Sequence, residues 1–382
     1  MTSADRLAVL GAHFESRRDA LAADLEALVV RESPSDDAAR VTALARYVAE
    51  RLSGAGVEAA TVPCAGRGDA LVARSGIGGG TLLLGHLDTV WPAGTLAEIP
   101  FRVVDGVATG PGSFDMKAGI AVGLSVLSAA AAGDVRPAGG VTLLLTPDEE
   151  IGTAASRELL VAEALKHERV LVLEPAGDGG AAKVARKGVG IVTVRFDGVA
   201  AHAGLEPEKG ASALLEMARF LLFADALADR NAGTSVVPTV GAAGLKANVV
   251  PERADATVDF RVWSREEGER VASGLASYRT ADPRVRVTVT GGLNRPPMEE
   301  TEASGSLYRR AAALAQRIGF EMASARVGGA SDGNLTAAAG VPTLDGLGPA
   351  GGGAHSRTEH VLVDDLPRRA ALIAALLEEV IP

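Results

Sequence analysis

Three apolar runs in this 382-residue chain each end in a carboxylate or an imidazole. Thr81-Leu82-Leu83-Leu84-Gly85 leads into His86 and Asp88. Val141-Thr142-Leu143-Leu144-Leu145-Thr146 leads into Asp148, Glu149 and Glu150, and Val170-Leu171-Val172-Leu173 leads into Glu174. Each run reads as a buried strand that stops on a metal-type ligand. Three together point to one site at one edge of a parallel sheet, where open α/β sheets bind their ligands. His86 and Asp88 are two apart, on one face of a strand, which suits an imidazole ligand oriented by a carboxylate. Glu149 and Glu150 are adjacent in a turn and point in different directions. One can hold a metal while the other reaches the attacking water, as metal-assisted hydrolysis requires.

Two further candidates lie in glycine-rich loops. Asp115 follows Gly112 by three residues in Gly110-Pro111-Gly112-Ser113-Phe114-Asp115-Met116-Lys117, where glycine permits a sharp turn. Taken alone, such an aspartate also suits a helix N-cap. His355 sits in Gly351-Gly352-Gly353-Ala354-His355-Ser356, a loop with no apolar burial of its own. The set comprises two imidazoles, three carboxylates and one spare glutamate, without sulfur. Such donors suit zinc, with cobalt or manganese as substitutes. They are too many for one tetrahedral zinc with an open position, and fit two metals sharing a carboxylate, roughly 3.5–4 Å apart.

The elements that position these residues alternate between strand and helix. Amphipathic helix is expected over 1–30 and 36–55, and strands over 57–62, 70–74, 81–86, 141–146 and 169–174. Between them fall a buried helix over 118–132 and another over 153–164. This order implies a mostly parallel sheet covered by helices on both faces. The pattern changes near Lys187: strands at 190–199, 254–262 and 284–290 alternate with helices at 211–228 and 265–277. That order suggests an inserted α+β, ferredoxin-like domain over 187–296. The α/β texture returns over 297–382, with helices at 306–318, after Asp332 and at 366–380, and a strand at 342–347. The catalytic domain is thus expected as 1–186 plus 297–382.

Composition bounds the function. The net charge of −10 argues against a nucleic-acid partner, which needs a basic face. The one cysteine, Cys64, excludes an intrachain disulfide or a thiolate cluster and reads as a small, partly buried side chain. No run reaches the roughly 18–20 apolar residues of a membrane span, so no membrane is expected as partner and the simplest localisation is cytoplasmic.

The ordered motifs His86-x-Asp88, Gly110-x-Gly112-x-x-Asp115-Met116-Lys117, Asp148-Glu149-Glu150, Glu174-Pro175, Ala201-His202-Ala203-Gly204 and His355-Ser356 resemble the co-catalytic di-zinc aminoacylase/carboxypeptidase family. The chain is most similar to its glutamate carboxypeptidase (carboxypeptidase G) branch, through Pro207-Glu208-x-Gly210 and Leu347-Gly348-Pro349, with Glu359 and Val361. The resemblance implies two zinc ions, one held by His86, Asp115 and Glu174 and the other by Asp115, Glu150 and His355. It implies Glu149 as general base and later proton donor, Asp88 as orienter of His86, and a cis peptide at Asp115-Met116. It also implies a homodimer through the inserted domain, with His202 reaching the partner's site to steady the oxyanion. Asn248 and Arg295 match positions that bind a substrate carboxylate.

The implied reaction is hydrolysis of an amide beside a free carboxylate, in a small N-acyl amino acid or peptide, with glutamate as the favoured leaving amino acid. Another acyl or amino-acid preference within the family is the alternative. A non-catalytic binding relative would lack a ligand or the base, and all six candidates are present. His360 and Gly333 depart from the family's usual residues, and both departures concern the substrate pocket.

Overall fold

The leucines of the apolar runs divide between two cores, as a side-chain period of two requires. Leu83, Leu143, Leu145 and Leu171 join one core; Leu82, Leu84, Leu144, Val170 and Val172 join the other. The computed structural model, which describes residues 3–76 and 78–379, therefore has a sheet buried on both faces. Its six strands run Glu58–Val62, Ala70–Ser75, Val141–Thr146, Thr81–His86, Arg169–Val172, Thr343–Leu344 across the sheet. The last four are mutually parallel, and Ala70–Ser75 runs against both of its neighbours.

Helices Arg18–Val29, Ala38–Ser53, Ala118–Ala131 and Asp365–Glu378 bury their apolar sides in the first core. Arg157–Ala164 and Gly333–Ala338 contribute Leu160, Ala164 and Leu335 to the second, where Cys64 is also buried. Ser113–Ala131 is long and apolar enough to cross a membrane by composition, but 78% of its most apolar stretch is buried inside the protein, as a core helix must be. Gly119 makes its packing possible: a Cβ there would stand 2.0 Å from the Leu173 carbonyl oxygen.

The chain divides into two compact units. The sheet above belongs to the first, Met1–Ala185 with Glu300–Val327 and Ser331–Pro382. The second is Arg186–Glu299 with Gly328–Ala330. It holds an antiparallel sheet in the order Ser235–Ala243, Arg253–Val262, Gly188–Asp197, Arg286–Arg295. Helices Ala213–Asp225 and Arg265–Ala276 pack on one face through Met217, Phe220, Val271 and Leu275. In chain order this is β-α-β-β-α-β, the ferredoxin-like arrangement.

Several elements differ from the sequence reading. The first expected helix is two, Ser3–Glu15 and Arg18–Val29, separated where the Ser16 hydroxyl donates to the His13 carbonyl. The helix expected from 153 begins at Arg157, because Thr153 takes a positive φ of 54° and Asp148 accepts from Ala155 N and the Ser156 hydroxyl. The strand expected over 342–347 shrinks to Thr343–Leu344. Ser235–Ala243 went unforeseen: Pro238 and Gly241 interrupt its alternation, and the register shifts between Pro238 and Val240. A sheet edge is where such a strand is tolerated. Met1, Thr2 and Val380, included in the expected terminal helices, lie outside the described residues.

Candidate metal centre

Register brings the strand ends to one level. His86 pairs with Thr146, so Glu149 and Glu150 leave the neighbouring strand just beyond it. On the other side Leu84 pairs with Val172, so Glu174 falls level with His86. Asp115 and His355 arrive on their loops. His86 Nε2 lies 3.2 Å from Asp115 Oδ1 and 3.3 Å from Glu174 Oε1. His355 Nε2 lies 3.3 Å from Asp115 Oδ2 and 3.2 Å from Glu150 Oε2. The two oxygens of Asp115 thus face different imidazoles, each of which also faces its own glutamate. Glu149 completes the group: its carboxylate, His86 and Glu174 each offer a donor atom within 4.8 Å of the others.

The electrostatics are those of a cation site. Asp115 and Glu150 push the His355 imidazole up to about 10, against a smaller effect of burial. Burial works against charge on His86, yet Asp115, Asp88 and Glu174 together hold it well above its ordinary value. Asp115 is driven the other way. Its burial favours the neutral acid, but the two imidazoles hold its carboxyl well below the usual range. Burial raises Glu150. Its Oε1 is buried with no hydrogen-bond partner among the described residues, while Oε2 faces His355. A buried carboxylate oxygen without a donor is unfavourable, and a metal between Asp115, Glu150 and His355 would satisfy it. Nitrogen and oxygen donors converging in two groups on one aspartate fit a pair of zinc-type ions.

Supporting contacts fix these side chains. Asp88 is fully buried. His86 Nδ1 lies 2.9 Å from the Asp88 carbonyl oxygen and 3.5 Å from its carboxylate Oδ1. The backbone therefore makes the closer contact to the ring. The carboxylate is occupied elsewhere: it accepts from Glu149 N at 3.0 Å, Glu150 N at 3.2 Å and the Ser35 hydroxyl at 2.7 Å. Asp88 thus holds both glutamates by their main chain. The 146–153 turn is also tied at both ends to Asp332, through the Thr146 hydroxyl at 2.7 Å and the Thr153 hydroxyl. Sequence reasoning missed Ser35 and Asp332 as supports, since neither lies near the motifs they serve. The peptide Asp115-Met116 is cis.

The model of peptidase family M20/M25/M40 matches residues 82–379. The chain belongs to this family. Carboxypeptidase G2 of Pseudomonas sp. (strain RS-16) is 33% identical over 364 residues, 92% of this chain and 87% of that protein. A succinyl-diaminopimelate desuccinylase of Dechloromonas aromatica (strain RCB) is 29% identical over 77% of this chain and 82% of its own length. Among solved structures, aminopeptidase PepT of Bacillus cereus ATCC 10987 superposes with a TM-score of 0.79 at 23% identity, covering 94% of this chain and 98% of that one. This M20 chain is a metallohydrolase.

The other three expected site residues of the M20 chain lie in its second unit. His202 and Asn248 meet there: Ala203 N donates to the Asn248 carbonyl, and His202 bridges to Val249. Both side chains are exposed. His202 Nδ1 accepts from Gly204 N and Leu205 N, each at 3.1 Å, which leaves the ring proton on Nε2. Arg295 is buried at the end of strand Arg286–Arg295, paired with Val189. His202 lies beyond the other end, where Arg286 pairs with Asp197.

Proposed function

We infer that this M20 metallohydrolase is a dinuclear, zinc-dependent enzyme. It hydrolyses an amide next to a free carboxylate and releases a C-terminal amino acid, glutamate by preference, from an N-acyl amino acid or small peptide. The observation that carries the dinuclear reading is the placement of Asp115, whose two oxygens address two separate imidazole–glutamate pairs. His86, Asp115 and Glu174 would hold one ion and Asp115, Glu150 and His355 the other. When bound, the pair supplies Lewis acidity toward the attacking water and the scissile carbonyl. Glu149, held by its amide on Asp88, takes the proton of that water and later returns it to the leaving nitrogen. His202, with its proton on Nε2, donates to the developing oxyanion. The Arg295 guanidinium and the Asn248 side chain bind the free carboxylate.

The second unit supports a homodimer with His202 acting in the partner's site. Val189 and Asp197 mark opposite ends of one strand, about 26 Å apart at the usual rise per residue. In one chain Arg295 lies at the Val189 end, while His202 and the adjoining Asn248 lie beyond the Asp197 end, too far apart to grip one small substrate, so His202 and Asn248 would both serve the partner's site. The strand Ser235–Ala243 is an outer strand of its sheet, with no strand beyond it among the described residues. It carries exposed Val237 and Val240, and the adjoining helix exposes Leu215 and Leu222. Such an edge and apolar face suit a second copy. The cytoplasmic location expected from the sequence is part of the same proposal.

Metal analysis and a substrate panel test this reading. Two zinc ions per chain are expected, with turnover of N-acyl-glutamates ahead of other N-acyl amino acids and dipeptides. Loaded protein that cleaves none of them would refute it. Preference for N-succinyl substrates would instead favour the deacylase reading suggested by the desuccinylase relatives. Glu149→Gln should keep both metals and lose about 10²–10⁴-fold in kcat.

A further inference from the structure

We propose that Glu359 is a positioning residue that sets the metal affinity of the centre by holding the main chain of Asp115. The proposal rests on the reading of Asp115 as the shared ligand. Glu359 is 3% exposed, and its two oxygens receive four N–H donors. Oε2 accepts from the Trp91 indole at 2.7 Å and Gly112 N at 3.0 Å. Oε1 accepts from Phe114 N at 2.9 Å and Asp115 N at 3.0 Å. A carboxylate has about four lone-pair sites, so these donors fill it.

The local backbone explains why such an acceptor is needed. Gly112 takes φ +70°, and Asp115 and Met116 leave helical geometry; Ser113 N and Lys117 N find the Gly110 and Gly112 carbonyls, while the amides of Gly112, Phe114 and Asp115 turn to Glu359. A buried amide left unpaired is costly, and one side chain satisfies these three. A loop staple alone would account for that much.

Two features point beyond a staple. One of the held amides is that of Asp115 itself, so the grip acts at the residue whose two oxygens must reach both imidazoles. Glu359 also closes the turn that carries His355. Ser356 N donates to Gly353 O at 2.9 Å and Glu359 N to Ser356 O at 3.0 Å. Gly353 takes φ +74° where a Cβ would meet Glu359 N at 2.9 Å. One carboxylate thus ties together two ligand loops that are far apart in the chain. Its buried negative charge also favours a cation nearby, which an isosteric amide would not.

The test is zinc titration of chelator-stripped protein against a chromophoric chelator near neutral pH, with thermal unfolding of the stripped forms in parallel. Wild type should take up two ions. Glu359→Gln turns an NH₂ toward two of the four donors, so its stripped form should unfold at a lower temperature; at a temperature where it is still folded it should lose about tenfold or more in zinc affinity, the range typical of outer ligands around a metal. Its kcat should fall while KM stays within about twofold of wild type. Trp91→Phe removes one donor and keeps the charge, and should lose less affinity than Glu359→Gln. Equal affinity in Glu359→Gln and wild type would overturn the proposal. Wild type that binds no zinc would overturn the reading of the centre instead. A second measurement serves if Glu359→Gln does not fold. In Trp263→Phe, Trp91 is the sole tryptophan, and its emission should change as zinc binds; emission indifferent to zinc uptake also counts against the proposal.

Discussion

Asp88 shows how much one buried side chain can organise. Its carboxylate takes two glutamate amides and a serine hydroxyl. Asp88→Asn must turn an NH₂ group toward at least one of these donors. The expected result is a 10–100-fold loss in activity or zinc affinity, read by kcat and by metal titration, with Ser35→Ala showing a smaller loss. The imidazoles predict a pH dependence. In stripped protein, Asp115 and Glu150 raise the folded-state value of His355 to about 10, from about 6.5 in an unfolded chain. A raised value means that the ion pair contributes fully below pH ~6.5 and is lost as pH climbs through about 10. Stripped protein should therefore unfold at falling temperature between neutral pH and pH 10, and His355→Gln should flatten that slope. An equally steep slope in the variant would remove His355 from the account.

At the scale of elements, the sharpest constraint is the crossing of helix Ala118–Ala131 over the strand end before Glu174. Gly119→Ala would place a methyl 2.0 Å from the Leu173 carbonyl. Overpacking of this kind destabilises by about 1–3 kcal/mol, visible in chemical denaturation, and zinc affinity should fall with it because Glu174 adjoins Leu173. The strand ends were legible in the sequence because a buried parallel strand is uniformly apolar, so the first charge after it marks the sheet edge. The Asp115 and His355 loops were legible through their glycines. Ser35, Asp332 and the grip of Glu359 were not, since each acts on a motif at least 50 residues away and no local period records such a contact. Strand Ser235–Ala243 was hidden for a different reason: at a sheet edge a proline and a bulge are tolerated, and they erase the alternation by which a strand is recognised.

For the whole molecule, the decisive experiment mixes two inactive forms. A chain with His202→Ala keeps Glu149, the proposed base, and one with Glu149→Gln keeps His202. If His202 serves the partner's site, random mixed dimers regain one working site, for about a quarter of wild-type activity. Recovery no greater than the sum of the separate forms would confine His202 to its own chain. Arg295 and His202, at opposite ends of one sheet, carry a further consequence. In the proposed dimer, a substrate gripped by Arg295 of one protomer and His202 of the other would itself link the subunits. Linkage then requires that substrate tighten association by the same factor by which association tightens substrate. Specific activity should fall on dilution, and a saturating non-hydrolysed analogue should delay that fall to lower protein concentrations.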